Sequence, residues 1–143
     1  IRKTYLTLVD GTPPTKTGRI EAHIGRDPGN RQRMSIVTEN KGRLGISEYK
    51  VLETFPNHTL IQVNILTGRT HQIRLHMTFL NCPVVGDRVY GHNKPTLPVN
   101  RQLLHAYSLE FIPPGSTSSQ TFTAQIPEDF RKTLKDLNYR GEL

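Results

Sequence analysis

Several residue types that point to particular protein classes are scarce or missing in this sequence. Cys82 is the single cysteine among 143 residues, which excludes an internal disulfide framework and any zinc site built from several cysteines. No apolar run approaches the roughly 18 residues that a membrane-spanning helix needs. Walker A, GxGxxG, HExxH and GxSxG patterns are also absent, which excludes the common nucleotide, zinc and hydrolase motifs. We expect neither a metal site nor a membrane span.

Acidic residues are few as well. The chain has 12 Asp and Glu against 19 Lys and Arg, a formal net charge of +7. Fifteen of those Lys and Arg, but only seven of the acidic residues, lie in residues 1–101. Such a concentration indicates a polyanionic partner such as nucleic acid, although a solvated basic surface has the same composition. No signal-peptide pattern opens the chain, and we expect a soluble, cytoplasmic protein.

Hydrophobic periodicity predicts an α+β fold. Alternation of apolar and polar residues is typical of half-buried strands, whereas spacings of three and four indicate helices. The pattern predicts strands at residues 5–9, 19–24, 34–37, 46–55, 59–66, 103–111 and 121–126, and helices at residues 70–80 and from 127 onward. Thr70 is the expected N-cap of the first helix. Because strands and helices do not alternate, we expect a mostly antiparallel mixed sheet with flanking helices.

The most informative segment runs from Thr67 to His76, TGRTHQIRLH, where a strand is followed by a helix. A helix N-terminus presents free N–H groups that suit an anion. Arg69 precedes the helix, and Arg74 lies one turn inside it, on the same face as His71. A buried arginine needs a carboxylate or phosphate partner; otherwise Arg74 is an ordinary surface residue. His71 and His76 are five residues apart, which does not suit two zinc ligands on one helix face, so outside a function they are structural or solvent-facing.

Four blocks of the sequence, in this order, resemble the motifs of the RluA-type pseudouridine synthases. Lys3-Thr4-Tyr5-Leu6 resembles the KxYxA segment of that family, with Thr7 in the place of the usual alanine. The other blocks are the IGRDPxNRxxM loop at residues 24–34, TGRTHQIRLH at 67–76 followed by PVVGDRVYG at 83–91, and the RQxLHA strand at 101–106. The resemblance extends from residue 1 to about residue 138, and it implies the catalytic-domain fold of that family.

One motif of that family is missing. Its members carry their catalytic aspartate in an HRLDxxTSG-type motif upstream of the KxYxA segment, and no such motif occurs here. None of the five aspartates has that context: Asp10, Asp27, Asp87, Asp129 and Asp136. The chain also opens inside a strand-like run without a start methionine. The resemblance therefore implies that residues 1–143 are the C-terminal portion of one catalytic domain, inactive alone, with the aspartate before Ile1 in the remainder of the domain.

The function that the resemblance implies is that of an RNA pseudouridine synthase. Such an enzyme isomerises uridine to pseudouridine in structured RNA, here rRNA or tRNA, by flipping the base out of its stack, without a cofactor and as a monomer. By motif position, Arg74 pairs with the catalytic aspartate and keeps it ionised, while Tyr5 packs on the flipped base and takes part in proton transfer. The expected RNA-contacting residues are Lys3, Arg26, Arg31, Arg33, Arg69, His71 and Leu104.

Other interpretations of the same residues stay open. Tyr5 also fits an aromatic side chain that faces the core, and the arginines at 26, 31 and 33 also fit solvated surface. A non-catalytic RNA-binding or ribosome-assembly protein that kept the fold and lost the aspartate would carry the same blocks, although the retention of Tyr5 and Arg74 favours an enzyme. A DNA-binding module is not favoured, since nothing resembles a helix that reads the major groove.

Overall fold

Seven strands form a single sheet in the computed structural model, which describes all 143 residues. They are β1 (Arg2–Asp10), β2 (Thr17–Arg26), β3 (Met34–Val37), β4 (Arg43–Thr54), β5 (His58–Ile65), β6 (Leu104–Phe111) and β7 (Gln120–Thr123). Their order across the sheet is β3-β2-β4-β5-β1-β6-β7, and every neighbouring pair is antiparallel. Two α-helices, α1 (Gln72–Phe79) and α2 (Glu128–Asp136), and a 3₁₀ turn at Glu39–Lys41 complete the fold. The predicted α+β fold is confirmed.

The start of the first helix differs from the prediction. α1 begins at Gln72, and His71 rather than Thr70 occupies the N-cap position, so the predicted cap is wrong. No side chain makes a capping hydrogen bond there. His71 has a φ of 55°, a left-handed conformation that histidine adopts more readily than most residues. Neither α-helix is long and apolar enough to cross a membrane.

One face of the sheet packs against α1. Val9 of β1 and Val63 of β5 meet Ile73 and Met77 of the helix, and each of these side chains is at most 5% exposed. Side chains alternate between the two faces of a strand, so Tyr5, four residues before Val9, faces α1 as well. Tyr5 packs half-buried against this core cluster. The tyrosine therefore lies on the same side of the sheet as the TGRTHQIRLH segment.

The opposite face of the sheet packs against α2. Leu6 and Leu8 of β1 and Leu60 of β5 contact Phe130 and Leu134 of that helix, all at most 4% exposed. Full burial of such a side chain stabilises the fold by about 1.5–3 kcal/mol relative to exposure. Because helices cover both faces of β1, consecutive residues at its C-terminal end are all buried, and buried and exposed residues do not alternate there.

The sheet order places β1 near the centre, between β5 and β6. Tyr5 is paired with Val63 on β5 and with Ala106 on β6. β5 runs directly into the connection that leads to α1, and β6 begins at Leu104, which is paired with Thr7. Three blocks that are distant in sequence therefore meet on the α1 face of the sheet.

Candidate functional site

A cleft of about 370 Å³ lies on the α1 face of the sheet, where β1, β6 and the start of α1 meet. Five of the nine predicted site residues line this cleft: Tyr5, Arg69, His71, Arg74 and Leu104. Ile65, Gln72, Ile73 and Gln102 complete its wall. The cleft thus combines one aromatic ring, two guanidinium groups and an apolar floor. That combination suits a flat ring carried on a phosphate backbone, since aromatic side chains stack on bases and cations bind phosphates.

Arg74 is the most constrained residue in the cleft. Its Nε donates to Oδ2 of Asp87 at 2.8 Å and its Nη2 donates to Oδ1 at 2.9 Å. The arginine side chain is 12% exposed and the aspartate side chain is fully buried. Asp87 also accepts the backbone N–H groups of Val89 and Tyr90, each at 3.1 Å. The guanidinium is therefore fixed along one edge, and its Nη1 makes no hydrogen bond within the chain.

Asp87 is the carboxylate partner that a buried arginine was expected to need. It lies within this chain, whereas the motif resemblance implied a partner upstream of Ile1. Burial alone would raise the pKa of Asp87, yet hydrogen bonds from Arg74 and from the backbone N–H groups of Tyr90 and Val89 outweigh it and hold the pKa below the ordinary aspartate value. The hydrogen bond to Asp87 and the negative charge of that carboxylate raise the pKa of Arg74, against a smaller opposing effect of burial. The sequence placed Asp87 in a neighbouring motif but did not predict its contact with Arg74, because no local pattern indicates a contact between residues 13 positions apart.

The ion pair predicts a specific dependence of stability on pH. Asp87→Asn is expected to lower the free energy of unfolding by about 3–5 kcal/mol at pH 7, because Arg74 loses its buried partner. The folded-state pKa of Asp87 is lowered, so the ionised carboxylate stabilises the fold fully at pH values above its unfolded-state pKa of roughly 3.9. This stabilisation is lost as the pH falls through the folded-state pKa. Urea unfolding of the wild type and of Asp87→Asn between pH 7 and pH 2 should show that their difference in free energy of unfolding shrinks below about pH 4.

Asp129→Asn is the matched control for that experiment. Its carboxylate pairs with Arg101 at 2.8 Å, but the side chain is 53% exposed, and exposed pairs contribute at most about 1 kcal/mol. A loss of stability for Asp87→Asn that is as small as for Asp129→Asn, or that stays constant down to pH 2, would contradict the buried-pair interpretation.

Gln72 is a site residue that sequence reasoning missed. Its Oε1 accepts from Thr67 Oγ1 at 2.7 Å and from the backbone N–H of Arg69 at 3.1 Å. Its Nε2 donates to the carbonyl of Ile46 and to Ser47 Oγ, both at 2.9 Å. All hydrogen-bonding capacity of the amide is used, so this buried side chain fixes the connection before α1. The amide binds the Arg69 backbone from inside the helix, and this explains how the turn closes without the predicted Thr70 cap.

The buried network continues from Gln72 to His76. His76 Nδ1 lies 2.8 Å from Ser47 Oγ, and its Nε2 lies 3.4 Å from the carbonyl oxygen of Ala22. A carbonyl only accepts, so Nε2 carries the proton and Nδ1 accepts from the serine hydroxyl. Burial lowers the pKa of His76. The spacing of four between Gln72 and His76 was a usable signal, since it puts two polar residues on the face of α1 that packs on the sheet.

Tyr90 contacts both Arg74 and His71 but does not itself line the cleft. The Cζ atom of Arg74 lies 4.9 Å from the centroid of the Tyr90 ring, within the range of a cation–π contact. The Tyr90 hydroxyl lies 2.6 Å from His71 Nδ1. Burial and the nearby positive charge of Arg74 lower the pKa of His71, against a smaller opposing effect of Asp87. The neutral form of His71 is thereby favoured.

The remaining four predicted site residues lie outside the cleft. Arg26 at the end of β2 and Arg31 and Arg33 on the turn before β3 are all exposed. Arg33 is paired with Asp27 at 3.0 Å, and Nη1 of Arg26 donates to the carbonyl of Arg31 at 3.3 Å. Lys3 lines a separate groove of about 390 Å³ along β1, β6 and β7, which it shares with Tyr5. No group of three or more His, Cys, Asp or Glu side chains is arranged to hold a metal ion.

Comparisons with known proteins point to one family. A family model described as RNA pseudouridylate synthase matches residues 1–79. The "Uncharacterized RNA pseudouridine synthase" of Chloroflexus aurantiacus is 46% identical over 141 residues, and the "Ribosomal large subunit pseudouridine synthase D" of Zymomonas mobilis is 36% identical over 144 residues. These alignments cover 99% and 96% of this chain but 44% and 45% of the relatives. The chain therefore spans a little under half of their length.

Solved structures show the same fold. The chain "Human RNA Pseudouridylate Synthase Domain Containing 4" has a TM-score of 0.77 and 22% sequence identity, with 96% of this chain and 62% of that chain covered. "Human RNA Pseudouridylate Synthase Domain Containing 1" has a TM-score of 0.73 and 23% identity, with 99% and 67% covered. At these identities the similarity concerns the backbone, and it confirms the catalytic-domain fold that the sequence motifs predict.

Proposed function

Because the chain belongs to the RNA pseudouridylate synthase family, we propose that the complete protein isomerises uridine to pseudouridine in structured RNA, either rRNA or tRNA. In this reaction the bond between N1 and C1′ breaks, the base turns, and a bond between C5 and C1′ forms. C5 releases a proton and N1 gains one, so the atoms balance without a co-reactant. The name of the Zymomonas mobilis relative, a ribosomal large-subunit enzyme, supports rRNA as the first substrate to test.

The free edge of Arg74 is the observation that carries this proposal. Asp87 holds Nε and Nη2 of the guanidinium, which leaves the two N–H groups of Nη1 without a partner in the chain. The Arg74 side chain lines the same cleft as Tyr5. A second carboxylate at that edge would complete the hydrogen bonding of the guanidinium. A nearby cation also keeps a carboxylate ionised. Arg74 is thus arranged to orient a catalytic aspartate next to the base.

The aspartate itself belongs to another part of the complete protein in this proposal. The five aspartates of the chain lack the family context, and the chain spans a little under half the length of its relatives. Residues 1–143 are accordingly the C-terminal portion of a catalytic domain, and Tyr5 and Arg74 act on a base held against the missing carboxylate. A cytoplasmic location and a monomeric state stay predictions.

The residues around the cleft bind the RNA in this proposal. Tyr5 stacks on the flipped base, and Leu104 supplies the apolar floor on which the base lies. Arg69 and His71 contact the flanking nucleotide at the mouth of the cleft. The exposed turn that carries Arg26, Arg31 and Arg33 binds backbone phosphates further along the RNA, and Lys3 contacts the backbone from the neighbouring groove. These contacts offset the few kcal/mol that unstacking a base costs.

Tritium release from RNA labelled at C5 of uridine tests the proposal directly. The complete protein is expected to release tritium from ribosomal RNA or tRNA, because the C5 proton leaves in every turnover. The 143-residue chain alone is expected to release none, since it lacks the aspartate, although it retains the basic residues that bind RNA. RNA binding is measured in parallel by filter retention for both proteins.

The outcomes of this experiment separate the alternatives. Tight RNA binding without any release by the complete protein would instead support the non-catalytic RNA-binding interpretation. Release by the 143-residue chain alone would show that the catalytic carboxylate lies within it and would overturn the proposed division of the domain. Failure of the complete protein to bind either RNA would contradict an RNA substrate altogether.

A further inference from the structure

The phenol of Tyr90 joins three segments of the fold at the edge of the cleft. Its hydroxyl oxygen lies 2.6 Å from His71 Nδ1 and accepts the backbone N–H of Met34 at 3.1 Å. Its backbone N–H donates to Asp87 Oδ1 at 3.1 Å, and its carbonyl accepts from Thr78 Oγ1 at 3.1 Å. The Tyr90 ring is thus fixed from both ends, and its hydroxyl is held at a set place beside His71.

The hydrogen-bonding capacity of these groups determines where the protons lie. A backbone N–H can only donate, so Met34 occupies one lone pair of the Tyr90 hydroxyl oxygen. The hydroxyl proton then has His71 Nδ1 as its acceptor. The reverse arrangement, with a proton on Nδ1, would leave the hydroxyl proton without an acceptor in the chain. The network therefore assigns an accepting Nδ1 and a protonated Nε2 to His71.

The environment of His71 is consistent with a neutral ring. Burial and the positive charge of Arg74, three residues further along the helix, lower the pKa of His71, and the carboxylate of Asp87 opposes them only in part. The two nitrogens of an imidazole diverge, so an Nδ1 turned toward Tyr90 directs Nε2 away from it. His71 lines the cleft and is exposed. His71 thus adds an uncharged N–H donor to a cleft that also carries the cationic donors of Arg69 and Arg74.

We propose that Tyr90 is a positioning residue that holds His71 as the Nε2-protonated tautomer, and that this N–H hydrogen-bonds to an acceptor oxygen of the RNA. The second half of the proposal rests on the proposed function, because it needs RNA in the cleft. The first half rests on the chain alone. Tyr90 itself touches no substrate in this proposal and acts through His71.

Nitrogen NMR of the complete protein labelled with ¹⁵N-histidine tests the first half without any assay of activity. His71 is expected to show a protonated Nε2 and an unprotonated Nδ1, its signals being identified by their loss in His71→Gln. Tyr90→Phe keeps the ring under Arg74 but removes the hydroxyl, and a mixture of both tautomers is expected. Tyr49→Phe is the matched control, since it removes a hydroxyl bonded to Thr15 Oγ1 at 2.7 Å. An Nδ1-protonated His71, or no change in Tyr90→Phe, would overturn the assignment.

Two substitutions of His71 test the second half by RNA affinity and by the split between KM and kcat. The amide nitrogen of glutamine reaches the place of Nε2, whereas that of asparagine reaches the place of Nδ1. His71→Gln is expected to bind RNA with an affinity within about threefold of wild type. His71→Asn is expected to bind RNA about tenfold more weakly and to have a KM about tenfold higher, which is the effect of losing one hydrogen bond. Asparagine tolerates the φ of 55° better than glutamine does. Backbone strain alone would therefore make His71→Asn the better RNA binder, which is the opposite of the expected result.

A double variant separates positioning from direct contact. If Tyr90 acts through His71, then adding Tyr90→Phe to His71→Asn causes no further loss of RNA affinity, whereas Tyr90→Phe alone raises KM several-fold. Additive losses would show that Tyr90 contacts RNA by itself and would overturn the positioning role. Absence of tritium release with the expected NMR and affinity results would instead contradict the proposed function and leave this inference standing.

Discussion

Replacing Arg74 by alanine is expected to reduce tritium release by the complete protein at least about 10²–10³-fold, the usual cost of removing one preorganised charge-stabilising group. The same change leaves the fully buried carboxylate of Asp87 without its partner. The free energy of unfolding should therefore fall by about 3–5 kcal/mol. Turnover is measured at a temperature where the variant is folded by circular dichroism, so that the two effects are recorded separately.

Two further variants separate stability from catalysis at this position. Arg74→Met combined with Asp87→Leu replaces the ion pair by apolar groups of similar volume, which is often neutral for stability. This double variant should regain part of the lost stability, because the backbone N–H groups of Val89 and Tyr90 still lose Asp87 as their acceptor, and it should regain none of the activity. Arg19→Ala is the surface control, because Arg19 pairs with Glu21 while 46% exposed and should change stability by less than about 1 kcal/mol. Normal turnover in Arg74→Ala would remove the free guanidinium edge from the mechanism.

Replacing Tyr5 separates the hydroxyl from the ring of the same residue. The Tyr5 side chain lines the cleft, and its hydroxyl makes no hydrogen bond within the chain. Tyr5→Phe is expected to lower kcat by about 10²–10⁴-fold, the range for loss of a group that transfers a proton. RNA affinity and stability should hardly change, because the ring and its packing remain.

Tyr5→Ala removes the stacking surface as well. RNA affinity should then fall by the equivalent of about 1–3 kcal/mol, the contribution of one base stacked on an aromatic ring. Tyr139→Phe is the matched control, since its hydroxyl also lacks a hydrogen bond and its ring packs with the α2 face, away from the cleft. A Tyr5→Phe variant with full kcat would show that the ring alone is used and that another group transfers the proton.

The local patterns of the sequence predicted most of the fold. All seven strands were predicted, and alternation marks most clearly a strand such as β2, which has one buried face, whereas β1 is buried on both faces toward its C-terminal end. The spacing of Ile73 and Met77 located α1, because residues three and four apart lie on one side of a helix. The cap at Thr70 was wrong because a helix start depends on which side chains satisfy its free N–H groups. Here Gln72, whose partners Ile46 and Ser47 lie on β4, fixes the turn, and no local pattern reports such partners.

The candidate site, like the fold, was predicted from the sequence only in part. The available residue types, the excess of basic residues in the first hundred positions and the order of the motif blocks that carry Tyr5 and Arg74 follow from the sequence alone. The three-dimensional fold was needed to show that Asp87 is the partner of Arg74, that Tyr90 binds His71, and that Arg26, Arg31 and Arg33 lie outside the cleft. Strand register and helix packing set these long-range contacts, and they depend on the whole chain at once.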